Sequence, residues 1–200
     1  MTPPNNTEAP KPDLMAMSRL IWVHPRQAVR QVVDYNPWAG QKEIIAVLCG
    51  VNGLVALPQG LGMMALEILL TLLLLIVSIY PMAWLLWLTG KPMGGKANFS
   101  ELSAALVWPM IPASLVTLLA IPFQGMEVVW VLVVGVSYLY SFHIMVQTVA
   151  EVQGFNGWQS FLNQLFALIL SLLPFLFFWQ EIINILPLAQ QILKSMISAE

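Results

Sequence analysis

Charge is what this 200-residue chain has least of: Lys and Arg number 8, Asp and Glu 10, and charged residues make up 9% of the sequence against 58% hydrophobic. That is too little to coat a water-soluble globule of this size, so a soluble fold is excluded and a membrane protein is expected. Cysteine is nearly absent too. The one cysteine, Cys49, cannot form an intrachain disulfide and, within an apolar segment, reads as a small apolar filler. With only two histidines, His24 and His143, expected in different compartments, and no ligand pair at three- or four-residue helical spacing, no metal site is expected. There is no strand–turn–helix nucleophile elbow, no His-Glu-x-x-His helix and no intramembrane pair of aspartates, so the sequence argues against an enzyme. The net charge of −2, without a basic stripe, leaves no footprint for nucleic acid. No cofactor is implied.

What is present is apolar length. Five segments, at about 44 to 60, 64 to 88, 101 to 121, 127 to 149 and 160 to 186, approach the roughly 20 residues that a helix needs to cross a bilayer. The first, which contains Gly50, Asn52, Gly53 and Pro58, is the weakest and would also suit a re-entrant element. The basic residues decide between the two. Lys11, Arg19, Arg26, Arg30 and Lys42 precede it, Lys91 and Lys96 sit in the longest loop, and Lys194 alone strays. Only if residues 44 to 60 cross do Lys91 and Lys96 share a side with the N-terminal basic residues, which is the cytoplasmic side by the positive-inside rule. The expected fold is therefore an all-α, polytopic bundle of five transmembrane helices over residues 44–186, N-terminus cytoplasmic and C-terminus opposite. Trp84, Trp87, Trp130, Trp158 and Trp179 at the segment ends suit membrane-interface anchors.

Outside the bundle, the Pro-rich residues 1–13 read as a disordered polar tail with no processed leader, and residues 187–200 as a short C-terminal tail. Residues 14–43 read as an amphipathic interfacial segment. Apolar Leu14, Met17, Ile21, Val29 and Val32 alternate with Arg19, Arg26 and Arg30 on one helical face, and Pro25 suits the first residue of a second short helix. Such a pair would lie on an anionic leaflet with Arg19, Trp22, Arg26 and Arg30 at headgroup depth.

Four local patterns carry further expectations. Pro109 and Pro112, beside Trp108, should kink the third segment. Asn98 with Glu101 three residues later should cap its start. Gly90-Lys91-Pro92-Met93-Gly94-Gly95-Lys96-Ala97 has phosphate-loop spacing but lacks the hydroxyl after the lysine and follows a helix, so a flexible basic turn is expected instead. Tyr140, His143, Gln147 and Glu151, at intervals of three, four and four, form one polar stripe on the fourth segment. Its two readings are interhelical hydrogen bonding and a polar path through the membrane with His143 as a proton carrier.

The order of these pieces is distinctive: Arg19-Leu20-Ile21-Trp22-Val23-His24-Pro25-Arg26, then Gly94-Gly95-Lys96-Ala97-Asn98-Phe99-Ser100-Glu101-Leu102, Trp108-Pro109-Met110-Ile111-Pro112 and Glu151-Val152-Gln153-Gly154-Phe155. Over residues 18 to 185 the chain resembles a bacterial member of the Yip1 family. The resemblance implies a five-helix integral protein of the inner membrane with a cytoplasmic N-terminus. Eukaryotic members associate with Rab GTPases in vesicle trafficking, but their Asp-Leu-Tyr-Gly-Pro and Gly-Tyr-Gly signatures have no counterpart here, so no Rab binding is inferred. Two functions follow as expectations. One is a non-enzymatic scaffold or membrane-organising protein whose partners are the lipid bilayer and other membrane proteins or its own copies; the other is a small transporter or channel using the polar stripe.

Overall fold

The computed structural model describes residues 13–123 and 125–177. Lys11, Trp179, Lys194, nearly all of the N-terminal tail, the end of the fifth apolar segment and the C-terminal tail lie outside the described residues. Within them the chain is helical throughout, with no strand: α1 (Leu14–Val23), α2 (Pro25–Tyr35), α3 (Gln41–Ala56), α4 (Leu61–Gly90), α5 (Phe99–Val107), α6 (Met110–Ala120), α7 (Glu127–Gln153) and α8 (Gly157–Phe177). Short 3₁₀ turns prolong α3, α4 and α6.

Four stretches among the described residues are long and apolar enough to cross a bilayer: Gln41–Gln59, Leu61–Met93, Phe99–Phe123 and Glu127–Gln153. The weak first segment is thus a continuous helical stretch of 19 residues, although its mean hydropathy of 1.2 is the lowest of the four. The fifth apolar segment of the sequence, about 160 to 186, lies partly outside the described residues, which contain four such stretches.

Helix ends follow local chemistry. Asp13 accepts from the Met15 N–H and caps α1, while Pro25 opens α2 at a position where its missing N–H breaks no bond. At α5 the Glu101 carboxylate accepts from the Asn98 N–H at 2.9 Å, the capping-box arrangement that the sequence leads one to expect. α7 stops at Gly154, whose φ of +71° suits glycine; the Gly154 and Phe155 N–H groups donate back to Glu151 and Ala150 in a Schellman motif.

Between α5 and α6 the helix is interrupted at Trp108 and Pro109. Proline has no N–H to offer the carbonyl four residues back, here that of Ala105. The Thr148 hydroxyl on α7 donates to that carbonyl at 2.8 Å, so the break is bridged from a neighbouring helix. Pro112, also buried, lies inside α6.

Burial is concentrated at one end of the bundle. Ile144, Val149 and Val152 in the second half of α7 pack with Leu86, Leu102 and Trp108, whereas Val128, Val131, Leu132 and Leu139 in its first half are exposed. α4 and α8 present similar apolar outer surfaces. Such faces are stable only against lipid or another apolar partner.

The tight end is closed by the turn that follows α4. Gln153, 1% exposed, donates to the Leu86 carbonyl at 3.1 Å, while its backbone and side-chain oxygens accept from the Lys96 and Ala97 N–H groups. The Gly94 and Gly95 N–H groups are held by the Lys91 and Gly90 carbonyls. The loop with phosphate-loop spacing therefore wraps an internal glutamine, with its N–H groups already engaged. A Cβ on Gly95 would overlap the Gln153 side chain and come within 2.9 Å of the Gly90 carbonyl oxygen, and backbone cannot move aside cheaply. Gly95→Ala should thus destabilise the purified protein by about 1–3 kcal/mol, as overpacking does. Gly62→Ala, where nothing lies within 4 Å of the added carbon, should leave the melting temperature in detergent unchanged or slightly raised.

Candidate functional site: the seam between α2 and α7

The two sets of residues that stood out in the sequence, the N-terminal arginines and the stripe on α7, meet along one seam. Tyr140 donates its hydroxyl to the Trp22 carbonyl at 2.5 Å, and their rings lie 6.0 Å apart. One step further along, the Arg26 Nε–H donates to Gln147 Oε1 at 2.7 Å. At the end of the seam Arg30 lies 3.8 Å from Glu151 and 3.7 Å from Asp34. Arg26 and Arg30 thus ascend α2 in step with Gln147 and Glu151, so α2 runs parallel to α7 over at least one turn, about 6 Å at 1.5 Å per residue, while Trp22 at the end of α1 meets Tyr140 two turns earlier on α7.

α2 packs along α7, on the residues that the sequence assigns to an interfacial pair. The apolar face that such a pair would have turned to lipid is buried on protein: Ile21, Ala28, Val29 and Val32 are all 0% exposed. Of the proposed surface contacts, Trp22, Arg26 and Arg30 each make a polar contact to α7, and Arg19, Arg26 and Arg30 are all exposed.

His143 supplies a correction. His24 and His143 were expected in different compartments, yet both line one cavity of about 390 Å³ beside Arg26, Gln27 and Gln147. The reason is the parallel docking, which carries the corner between α1 and α2 to mid-length of α7. Two imidazoles beside a guanidinium, with no carboxylate among the described residues lining the space, suit an anion better than a cation. Among the described residues no group of three or more His, Cys, Asp or Glu is placed to hold a metal.

Apolar contact and polar contact have different weights here. Arg30 and Glu151 have side chains 59% and 29% exposed, so their ion pair contributes at most about 1 kcal/mol. Burying a valine away from water is worth about 1.5–3 kcal/mol, and Val29 and Val32 are both fully covered. The valines hold α2 down, and the ladder of polar contacts sets its register.

Several buried polar residues were not singled out in the sequence. Gln153, Thr148, Gln41, Asn163 and Gln164 are all at most 2% exposed. Gln41 donates to Ser103, and Thr89 donates to Asn163 at 2.5 Å, joining α3 to α5 and α4 to α8. A lone amide or hydroxyl in an otherwise apolar stretch was their signal.

Residues 19–178 match the family model described as Yip1 domain. No curated protein and no solved structure gives a match.

If apolar burial holds the seam, Val29→Asp should release α2 and expose residues 25–35 to rapid backbone hydrogen exchange, whereas Arg30→Ala should change exchange there by no more than about fivefold, the equivalent of roughly 1 kcal/mol. Equal effects would show that charge, not packing, holds α2.

Proposed function

The chain belongs to the Yip1 domain family, and from that premise we propose that it is a non-enzymatic membrane scaffold, organising other membrane proteins or copies of itself through helix–helix association. The observation that carries this reading is on α3. Gly53 is packed internally, where a Cβ would fall 2.6 Å from Ile68, but Ala46 and Val47 are exposed and a Cβ on Gly50 would meet nothing within 4 Å. Small residues at four-residue spacing, bordered by exposed Val47 and Leu54, leave a shallow outward strip where a second helix can approach closely.

The transporter reading loses support from the same seam. Tyr140, Gln147 and Glu151 make their polar contacts to α1 and α2, so three of the four stripe residues have protein partners and need no permeating species. The proposed setting is a bacterial inner membrane with the N-terminus and the Lys91 to Asn98 loop on the cytoplasmic side, supported by the grouping of basic residues.

A photo-crosslinking side chain at Val47 in native membranes should capture a partner or a second copy. Gly50→Leu should remove that adduct while leaving the melting temperature unchanged, because a Cβ added there meets nothing within 4 Å. A monomer alone at every crosslinking position on α3 would refute the scaffold reading; His143-dependent ion flux in proteoliposomes would replace it with transport. Thiol labelling of the Lys91 to Asn98 loop from outside intact cells would overturn the orientation.

A further inference from the structure

The break between α5 and α6 has a second effect. At Pro109, and below it along Ala113, Ser114 and Thr117, small and interrupted side chains leave a cavity of about 300 Å³ against α3 and α7. That volume is at the lower end of small-molecule sites. Most of the lining is apolar, and Tyr138 and Phe142, 60% and 42% exposed, stand at its edge on the outward face of α7. The opening therefore faces what surrounds the helices, which for a membrane bundle is lipid.

Among the residues that line this space is one with a polar group that has no partner among the described residues. Ser141 is 8% exposed, lines the cavity, and its hydroxyl makes no hydrogen bond among the described residues. A helix-borne serine ordinarily donates to a carbonyl of the preceding turn, as Ser137 does to Val134 and Ser114 to Met110. Leaving a buried hydroxyl unpaired costs about 1–3 kcal/mol, and an unpaired group in a native core calls for an explanation. Opposite it on α3, Asn52 uses one amide hydrogen on the Leu48 carbonyl at 2.9 Å, and an amide has two. Ser141 lies near mid-length of α7, about 18–21 Å from either end at 1.5 Å per residue, and Asn52 lies in the last third of α3.

We propose that this cavity binds a lipid-soluble molecule that carries a hydrogen-bond-accepting carbonyl, with Ser141 as donor, Asn52 as second donor, and the ligand's apolar body between α6 and α7. Two sources present that chemistry inside a membrane: the ring of a quinone and the ester of an acylglycerol. The depth of Ser141 suits a headgroup that is itself apolar enough to leave the interface.

The test is equilibrium binding of radiolabelled decylubiquinone to the full chain in nanodiscs. Saturable binding at one site per chain is expected. Ser141→Ala should weaken it about five- to tenfold, as loss of one hydrogen bond does. Ser114→Ala should change it less than about twofold, since that hydroxyl is already engaged within its helix. Ala113→Phe, which fills the cavity, should abolish it, with helical circular dichroism showing that the variant is folded. Displacement by monoolein would identify the ester as the natural acceptor, and resistance to monoolein would identify the quinone ring; both support a carbonyl ligand. Binding that does not saturate, that dodecane displaces equally well, or that is indifferent to Ser141→Ala would overturn the proposal.

Discussion

In hydrocarbon an unpaired backbone group has no water to fall back on, and this chain interrupts its helices repeatedly. The second half of α7 is what makes those interruptions tolerable. Thr148 bonds the Ala105 carbonyl that Pro109 leaves free, Gln153 takes up the turn after α4, and Tyr140 accepts the exposed end of α1 by donating to the Trp22 carbonyl. From the other side, Ser160 and Gln164 of α8 donate to Val146 and Met145. One helix thus holds α1, α4, α5 and α8 through side-chain to backbone bonds, and the apolar core assembles around it.

This arrangement divides the bundle into two regimes. Where α7 carries Gln, Thr and Ser, neighbouring helices and α2 close over it and little surface is left for lipid. Where it carries Val and Leu, in its first half, few neighbours cover it and apolar surface faces outward. Packing between helices in lipid gains little from apolar character alone, so polar bonds and small residues decide which faces pair. The Gly53 contact with Ile68 and the Gly95 fit around Gln153 are the small-residue side of the same logic.

Segment boundaries were legible in the sequence because they depend on local patterns: apolar length located α3, α4, α5 with α6, and α7, and Asn98 with Glu101 marked a helix start. The pairing of segments was not. A polar stripe at helical spacing shows which residues share a face, but not what covers them, and so the stripe on α7 and the arginines of α2 were read as separate features. His24 and His143 were separated for the same reason: 119 positions apart, they meet only because α2 docks parallel to α7. Gln153 was invisible as an organiser because a single amide near a helix end has no pattern; the glycines at 90 and 95 recorded its presence through the room that they leave.

The claim that α7 replaces the bonds lost at the breaks is tested most directly by a double-mutant cycle between Pro109 and Thr148, read as unfolding free energy in mixed micelles. Thr148→Val should cost about 1–2 kcal/mol in the native chain. In a Pro109→Ala background, where residue 109 regains an N–H for the Ala105 carbonyl, the same substitution should cost close to nothing. An equal cost in both backgrounds would contradict the account, because Thr148 would then act independently of the break that it spans.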